Sequence, residues 1–181
     1  MRRITAKEAG NLDKDEFVAR FGHLFEGSPH FAEAAWQKRP FRGFSDLLRA
    51  FEETVYAASR EQKLDLIRAH PDLAGKAAVE SSLTPESTRE QASAGLDRLS
   101  PKEYESFTRM NSAYREKFGF PMVVCVREHT KETILANAGA RLENSRAEEI
   151  ESALGEIAKI ANLRLQELVS PNPGEVGGVG S

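Results

Sequence analysis

A single cysteine, Cys125, stands in a chain of 181 residues. No internal disulfide can form, and a reducing compartment is the simpler expectation. There is no basic excess either. Against 25 Lys and Arg stand 28 Asp and Glu, a net charge of −3, which argues against nucleic acid as the main partner. No apolar run approaches the ~20 residues of a membrane helix. The start, Met1-Arg2-Arg3-Ile4-Thr5, has two arginines but no apolar segment behind them, so no secretory signal is expected. Glycine-rich phosphate loops are missing, and His23, His30 and His129 lack metal-ligand spacing with one another or with a carboxylate, so no metal is expected. These absences leave a soluble, cytoplasmic protein with no membrane and no nucleic-acid partner. Its length suits one domain with a real core, over residues 1–170. A tail from Pro171 to Ser181, rich in Gly and Pro, should be disordered.

What is present is mostly helix. Thr5 with Glu8 and Asp13 with Glu16 have capping-box spacing, the second ahead of Phe17, Val18 and Phe21. Ser28-Pro29 reads as the cap of a short segment carrying Phe31, Ala34, Ala35 and Trp36. From Ser45, the positions Leu47, Leu48, Phe51 and Val55 recur at helical spacing, with Phe44 just ahead as a staple. Ser59 with Gln62 opens the next helix, and Ser100-Pro101 with Glu103 opens one running to about Phe118. Helical patterns follow from about Glu132 to Asn144 and from Ser145 to Val169, the last with Ile150, Leu154, Ile157, Ile160, Ala161 and Leu165 on its core face. Met122 to Val126 is the one convincing extended run. A lone strand cannot make a sheet, so the expectation is an all-α, single-domain helical bundle with one buried extended segment.

The stretch from His70 to Gln91 is where chemistry is most plausible. Pro71 biases His70 away from helical dihedrals, so a helix carrying Leu64, Ile67 and Arg68 should end there. Thr84 as N-cap and Pro85 at the first helical position start another helix. On it, Glu90 and Gln91 point about 100° apart, and Ser87 lies one turn earlier on their side. An imidazole at a helix-to-loop junction is suited to proton transfer near neutral pH. The plainer alternatives are a histidine capping helix carbonyls and a solvated Glu90 with Arg89 or Arg98 as partner. Cys125, inside Val123-Val124-Cys125-Val126, reads as buried packing rather than a nucleophile. Beyond Gly119-Phe120-Pro121 the backbone leaves the helix with N–H and C=O groups that need partners, and a flat polar ligand is one way to supply them. Arg164, between Leu163 and Leu165, reads either as a snorkelling surface arginine or as an anchor for a carboxylate.

Three motifs in order carry a resemblance. They are His70-Pro71-Asp72-Leu73-Ala74-Gly75, then Ser87-Thr88-Arg89-Glu90-Gln91 with Ala94-Gly95-Leu96, then Asn111 through Tyr114 to Lys117-Phe118-Gly119-Phe120-Pro121. Together they resemble the 2-oxo-4-hydroxy-4-carboxy-5-ureidoimidazoline (OHCU) decarboxylases of urate breakdown, from about Phe17 to Leu168. The resemblance implies an all-helical fold, a reaction without metal or organic cofactor, a small ureidoimidazoline as substrate and (S)-allantoin as product. It implies His70 as the catalytic histidine and Glu90 as its partner carboxylate. Pro71, Ser87 and Gln91 match ligand-binding positions. Phe120, Met122, Val123, Val124, Cys125 and Val126 match the stretch whose backbone meets the ligand's amides, and Arg164 matches a further binding position. Met122 departs from the aromatic many relatives carry. The family suggests a homodimer, although no residue pattern here marks one. The chain ends Val179-Gly180-Ser181, without a Ser-Lys-Leu peroxisomal address. Two other readings compete: an all-α adaptor with an exposed apolar groove, and a related decarboxylase or ureide-processing enzyme with another substrate.

Overall fold

The computed structural model describes residues 2–74 and 83–171. Among them are nine α-helices: α1 (Ala6–Gly10), α2 (Lys14–Phe21), α3 (His30–Trp36), α4 (Phe44–Ala57), α5 (Arg60–Arg68), α6 (Pro85–Ser93), α7 (Pro101–Phe118), α8 (Lys131–Glu143) and α9 (Arg146–Leu168). The fold is all-α, as the hydrophobic periodicity predicts. Most helix starts follow local chemistry. The Thr5/Glu8, Asp13/Glu16 and Ser100/Glu103 capping boxes are all formed, and Ser59 and Gln62 exchange the same pair of bonds. Two caps differ from expectation. α3 begins after Pro29 without a side-chain cap, because the Ser28 hydroxyl donates to the Glu26 carbonyl instead. α4 begins at Phe44 behind Gly43, so Ser45 lies inside the helix. The tail beyond Pro171 falls outside the described residues.

The chain divides into two compact units, Met1–Leu66 with Ala158–Ser181, and Ile67–Ile157. In the first, Phe17, Phe21 and Phe51 form an aromatic cluster. Phe17 lies 4.7 Å from Phe21 and 5.9 Å from Phe51, centroid to centroid, and all three are buried. Each ring so buried contributes about 1.5–3 kcal/mol. Trp36 is held from two sides: its Nε1 donates to the Leu12 carbonyl at 3.0 Å, and the Arg39 guanidinium stacks 3.4 Å over its ring. The first unit also contains a short sheet that periodicity does not predict. β1 (Ile4–Thr5) pairs in parallel with β2 (Val169–Ser170), Ile4 opposite Val169.

The second unit is built on α6, α7, α8 and α9 up to Ile157. α7 ends at Gly119, whose φ of 77° is open to glycine without a Cβ penalty. Phe118, Phe120 and Tyr114 then pack together, Tyr114 to Phe118 at 4.6 Å. The Arg146 Nε donates to the Phe118 carbonyl at 3.0 Å. Residues 121–125 form the expected buried extended segment, followed by a 3-10 turn, Val126–Glu128. No helix among the described residues is long and apolar enough to cross a membrane. Among those residues the one large hydrophobic side chain left exposed is Tyr56.

Candidate active site

α5 stops at Arg68. The N–H of His70 closes a last turn on the Ile67 carbonyl at 3.2 Å, and Pro71 cannot extend the helix. The His70 side chain is not a solvated cap: the residue is only 7% exposed. A buried imidazole is positioned by its surroundings rather than by water, and here those surroundings include an unusually well-tied loop. The Asp72 carboxylate accepts from Arg115 Nε at 2.8 Å. The Asp72 carbonyl accepts from Gln91 Nε2 at 3.2 Å, and the Leu73 carbonyl from Asn111 Nδ2 at 2.8 Å. The Ala74 N–H donates to Gln91 Oε1 at 3.0 Å. Ala74 has φ of 51°, a left-handed conformation that costs a non-glycine residue about 1–2 kcal/mol. The side-chain bonds to 72–74 offset that strain.

α6 brings the polar trio together as its spacing dictates. Thr84 caps it by accepting from the Ser87 N–H at 3.3 Å, behind Pro85. Ser87 and Gln91, one turn apart, are buried, while Glu90 is half-buried. The two arginines that would neutralise a solvated Glu90 have other carboxylates: Arg89 pairs with Glu86 and Arg98 with Asp97. Gln91 is engaged with the loop after His70 at both ends of its amide. Of its two amide hydrogens, one is committed to Asp72.

The extended segment is buried throughout, from Phe120 to Val126. Its backbone partners alternate. The Val123 carbonyl accepts from Arg141 Nη1 at 2.7 Å, and the Cys125 N–H donates to Glu156 Oε2 at 2.8 Å. Among the described residues the N–H and C=O groups of Met122 and Val124 take no hydrogen-bond partner. Arg141 is itself fixed by Glu149, a fully buried carboxylate. Its Nε and Nη2 reach Glu149 Oε2 at 2.9 and 2.8 Å. Asn144 Nδ2 donates to Oε1 at 2.8 Å, and the Tyr114 hydroxyl donates to Oε2. Burial, and secondarily the Glu149 carboxylate, pushes the Tyr114 hydroxyl well above the usual tyrosine pKa.

Arg164 lies in the first unit and is not a surface arginine. It is 4% exposed, and its Nη1 donates to the His23 carbonyl at 3.0 Å and to Glu26 Oε2 at 3.1 Å. The carboxylate it meets in the structure is the chain's own. Periodicity also misplaced one turn of α9: Ile150 is half-buried, and Glu149 beside it takes the core position. Of the residues that tie the site together, Gln91, Asn111 and Tyr114 stand within the motifs that carry the resemblance. Arg115, Arg141, Glu149 and Glu156 look like any charged helix surface in sequence.

Comparison with known proteins identifies the family. The family model for OHCU decarboxylase matches residues 10–166. The 2-oxo-4-hydroxy-4-carboxy-5-ureidoimidazoline decarboxylase of Halalkalicoccus jeotgali is 42% identical over 96% of this chain and 97% of its own. The protein of the same name from Haloferax volcanii is 43% identical over 94% of this chain and 99% of its own. A crystal structure of (S)-allantoin synthase superposes with a TM-score of 0.74 at 30% identity, covering 92% of this chain; the chain spans about half, 54%, of that one's length. With a family match that runs through the histidine turn, α6 and the extended segment, this chain belongs to the OHCU decarboxylase family.

Proposed function

We propose that the protein is a carboxy-lyase of urate degradation that converts 2-oxo-4-hydroxy-4-carboxy-5-ureidoimidazoline to (S)-allantoin, with His70 and Glu90 managing the protons. The observation that carries the reading is the family match across residues 10–166, which takes in each of these positions. The burial of His70 supports it, since an imidazole sheltered from bulk water can hold one proton for one substrate atom. Burial of Ser87 and Gln91 beside a half-buried Glu90 supports it further.

The chemistry needs an electron sink. When the bond from the ring carbon to the carboxylate breaks, CO2 leaves and its electron pair forms a ring C=C bond. The neighbouring ring C=N receives the displaced pair at nitrogen, which takes up a proton. The product of that step is an enol. Its hydroxyl proton must leave and a proton must arrive on the adjacent carbon to give the ketone of allantoin. In this reading His70, charged or oriented by Glu90, moves one of those two protons, and delivery to one face sets the S hand. Pro71, Ser87 and Gln91 line the substrate, and the segment from Phe120 to Val126 meets its amides through backbone groups. The unpartnered polar groups of Met122 and Val124 support that last role, because buried backbone groups require partners. A cytoplasmic location fits the single cysteine.

The test is direct. Purified protein is mixed with freshly made urate-oxidation products, and allantoin chirality is followed against the slow uncatalysed decay. Rapid appearance of the S enantiomer is expected. A racemic product at the uncatalysed rate refutes the reading, and stereospecific turnover by His70→Asn refutes the histidine's part in it.

A further inference from the structure

The extended segment is tied to α8 and α9 at alternate residues. In extended chain, the N–H and C=O of residue i point to one side and those of residue i+1 to the other. Val123 offers its carbonyl to Arg141, and Cys125, two residues on, offers its N–H to Glu156. Both therefore face the helices, and the polar groups of Val124 between them face away. From this geometry we infer that Arg141 and Glu156 are positioning residues for substrate recognition. They grip the rear of the strand so that the N–H and C=O of Val124 stand forward, at fixed spacing, for a ligand that carries an amide N–H beside a C=O. The inference rests on the decarboxylase reading and adds residues that neither touch the substrate nor move a proton.

Arg141 is fitted to this task. A guanidinium presents five donors in a rigid fork. Here Nε and Nη2 lock onto Glu149 while Nη1 reaches Val123. Tyr114 and Asn144 hold Glu149 in turn, so the position of one carbonyl is set by side chains from α7, α8, α9 and the turn between the last two. A lysine at position 141 keeps the charge but has no fork, and cannot serve the carboxylate and the carbonyl in the same geometry.

The experiment compares Arg141→Lys, Glu156→Ala and Glu156→Gln with the wild type in steady-state decarboxylation of the ureidoimidazoline, with thermal unfolding as a check on folding. Loss of one anchoring bond should raise KM about ten-fold in Arg141→Lys and Glu156→Ala, with kcat within about two-fold, as expected when ground state and transition state lose the same contact. Glu156→Gln keeps an oxygen acceptor for the Cys125 N–H and should restore KM to within about three-fold of wild type. The same order should appear in the (S)-allantoin concentration that shifts the Val124 amide resonance. An unchanged KM in folded Glu156→Ala, or a fall in kcat alone, overturns the inference and leaves the decarboxylase reading standing. If Arg141→Lys does not fold, the two Glu156 variants decide. A wild-type protein without activity overturns the decarboxylase reading, and this inference falls with it.

Discussion

Replacing Asn111 by leucine keeps a side chain branched at Cγ but removes its hydrogen-bond donor, and the structure sets the size of the effect. Asn111 Nδ2 donates to the Leu73 carbonyl at 2.8 Å, and both residues are buried, 8% and 4% exposed. Without that donor the carbonyl is left unsatisfied, at about 1–3 kcal/mol. For a chain of this length that lowers Tm by about 2–12 °C. The loss should also appear locally. The adjacent Ala74 is held in a left-handed conformation through its bond to Gln91, so a loop lacking one of its ties opens more readily. Hydrogen exchange at the Ala74 amide should accelerate about 5- to 150-fold, the same free energy read as a population. Because His70 begins this loop, kcat should fall as well, by up to about 10²-fold for a misplacement near 1 Å. Exchange mass spectrometry, thermal unfolding and initial rates check the three parts. A variant with wild-type Tm and wild-type exchange at Ala74 would falsify the claim that Asn111 holds the loop, whatever its activity.

Other expectations follow from the same contacts. Glu149→Ala strips the part-buried Arg141 of its fully buried carboxylate and should destabilise the fold by up to about 3–5 kcal/mol, a large part of a typical domain's stability; a urea midpoint close to wild type refutes this. The raised pKa of Tyr114 means that its contribution is complete below the unfolded tyrosine value near 10 and is lost as pH rises past it. Wild-type stability should therefore fall by up to about 1.4 kcal/mol per pH unit between pH 10 and 11. Tyr114→Phe should show a shallower alkaline slope, and equal slopes count against the buried-hydroxyl account. Ala74→Gly should leave Tm unchanged or raised, since glycine takes φ of 51° freely but is freer when unfolded. Ala74→Val should lower Tm by several degrees, because a β-branched residue is a true outlier there. Thermal scans of both variants decide the point.

Signals that act over three or four residues were readable in the chain itself. The Thr5/Glu8, Asp13/Glu16 and Ser100/Glu103 caps formed as read, because donor, acceptor and helix start are neighbours in sequence. The end of α5 at the Arg68–His70 turn was legible for the same reason, given what Pro71 does to the residue before it. So was the buried run after Gly119-Phe120-Pro121, which combines a helix stop with a continuous apolar stretch. The histidine, α6 and the extended segment could be picked out as a candidate site because each carries its own local motif. Where local signals were ambiguous, reading failed: Ser28 and Ser45 are both good caps by type, and neither caps.

Composition, periodicity and capping thus determined by themselves that this is an all-α protein, where most helices begin, and which residues are candidates for chemistry. Tertiary structure alone decided how charge is arranged inside it. Glu149 is buried in place of Ile150 because Tyr114, Arg141 and Asn144 converge on it from elsewhere in the chain. Arg164 is buried because Glu26 and the His23 carbonyl receive it across more than a hundred residues. The β1–β2 pair joins residues near the two ends. A buried charge is stable only when its partners are in place, and partners that distant in sequence leave no periodic trace.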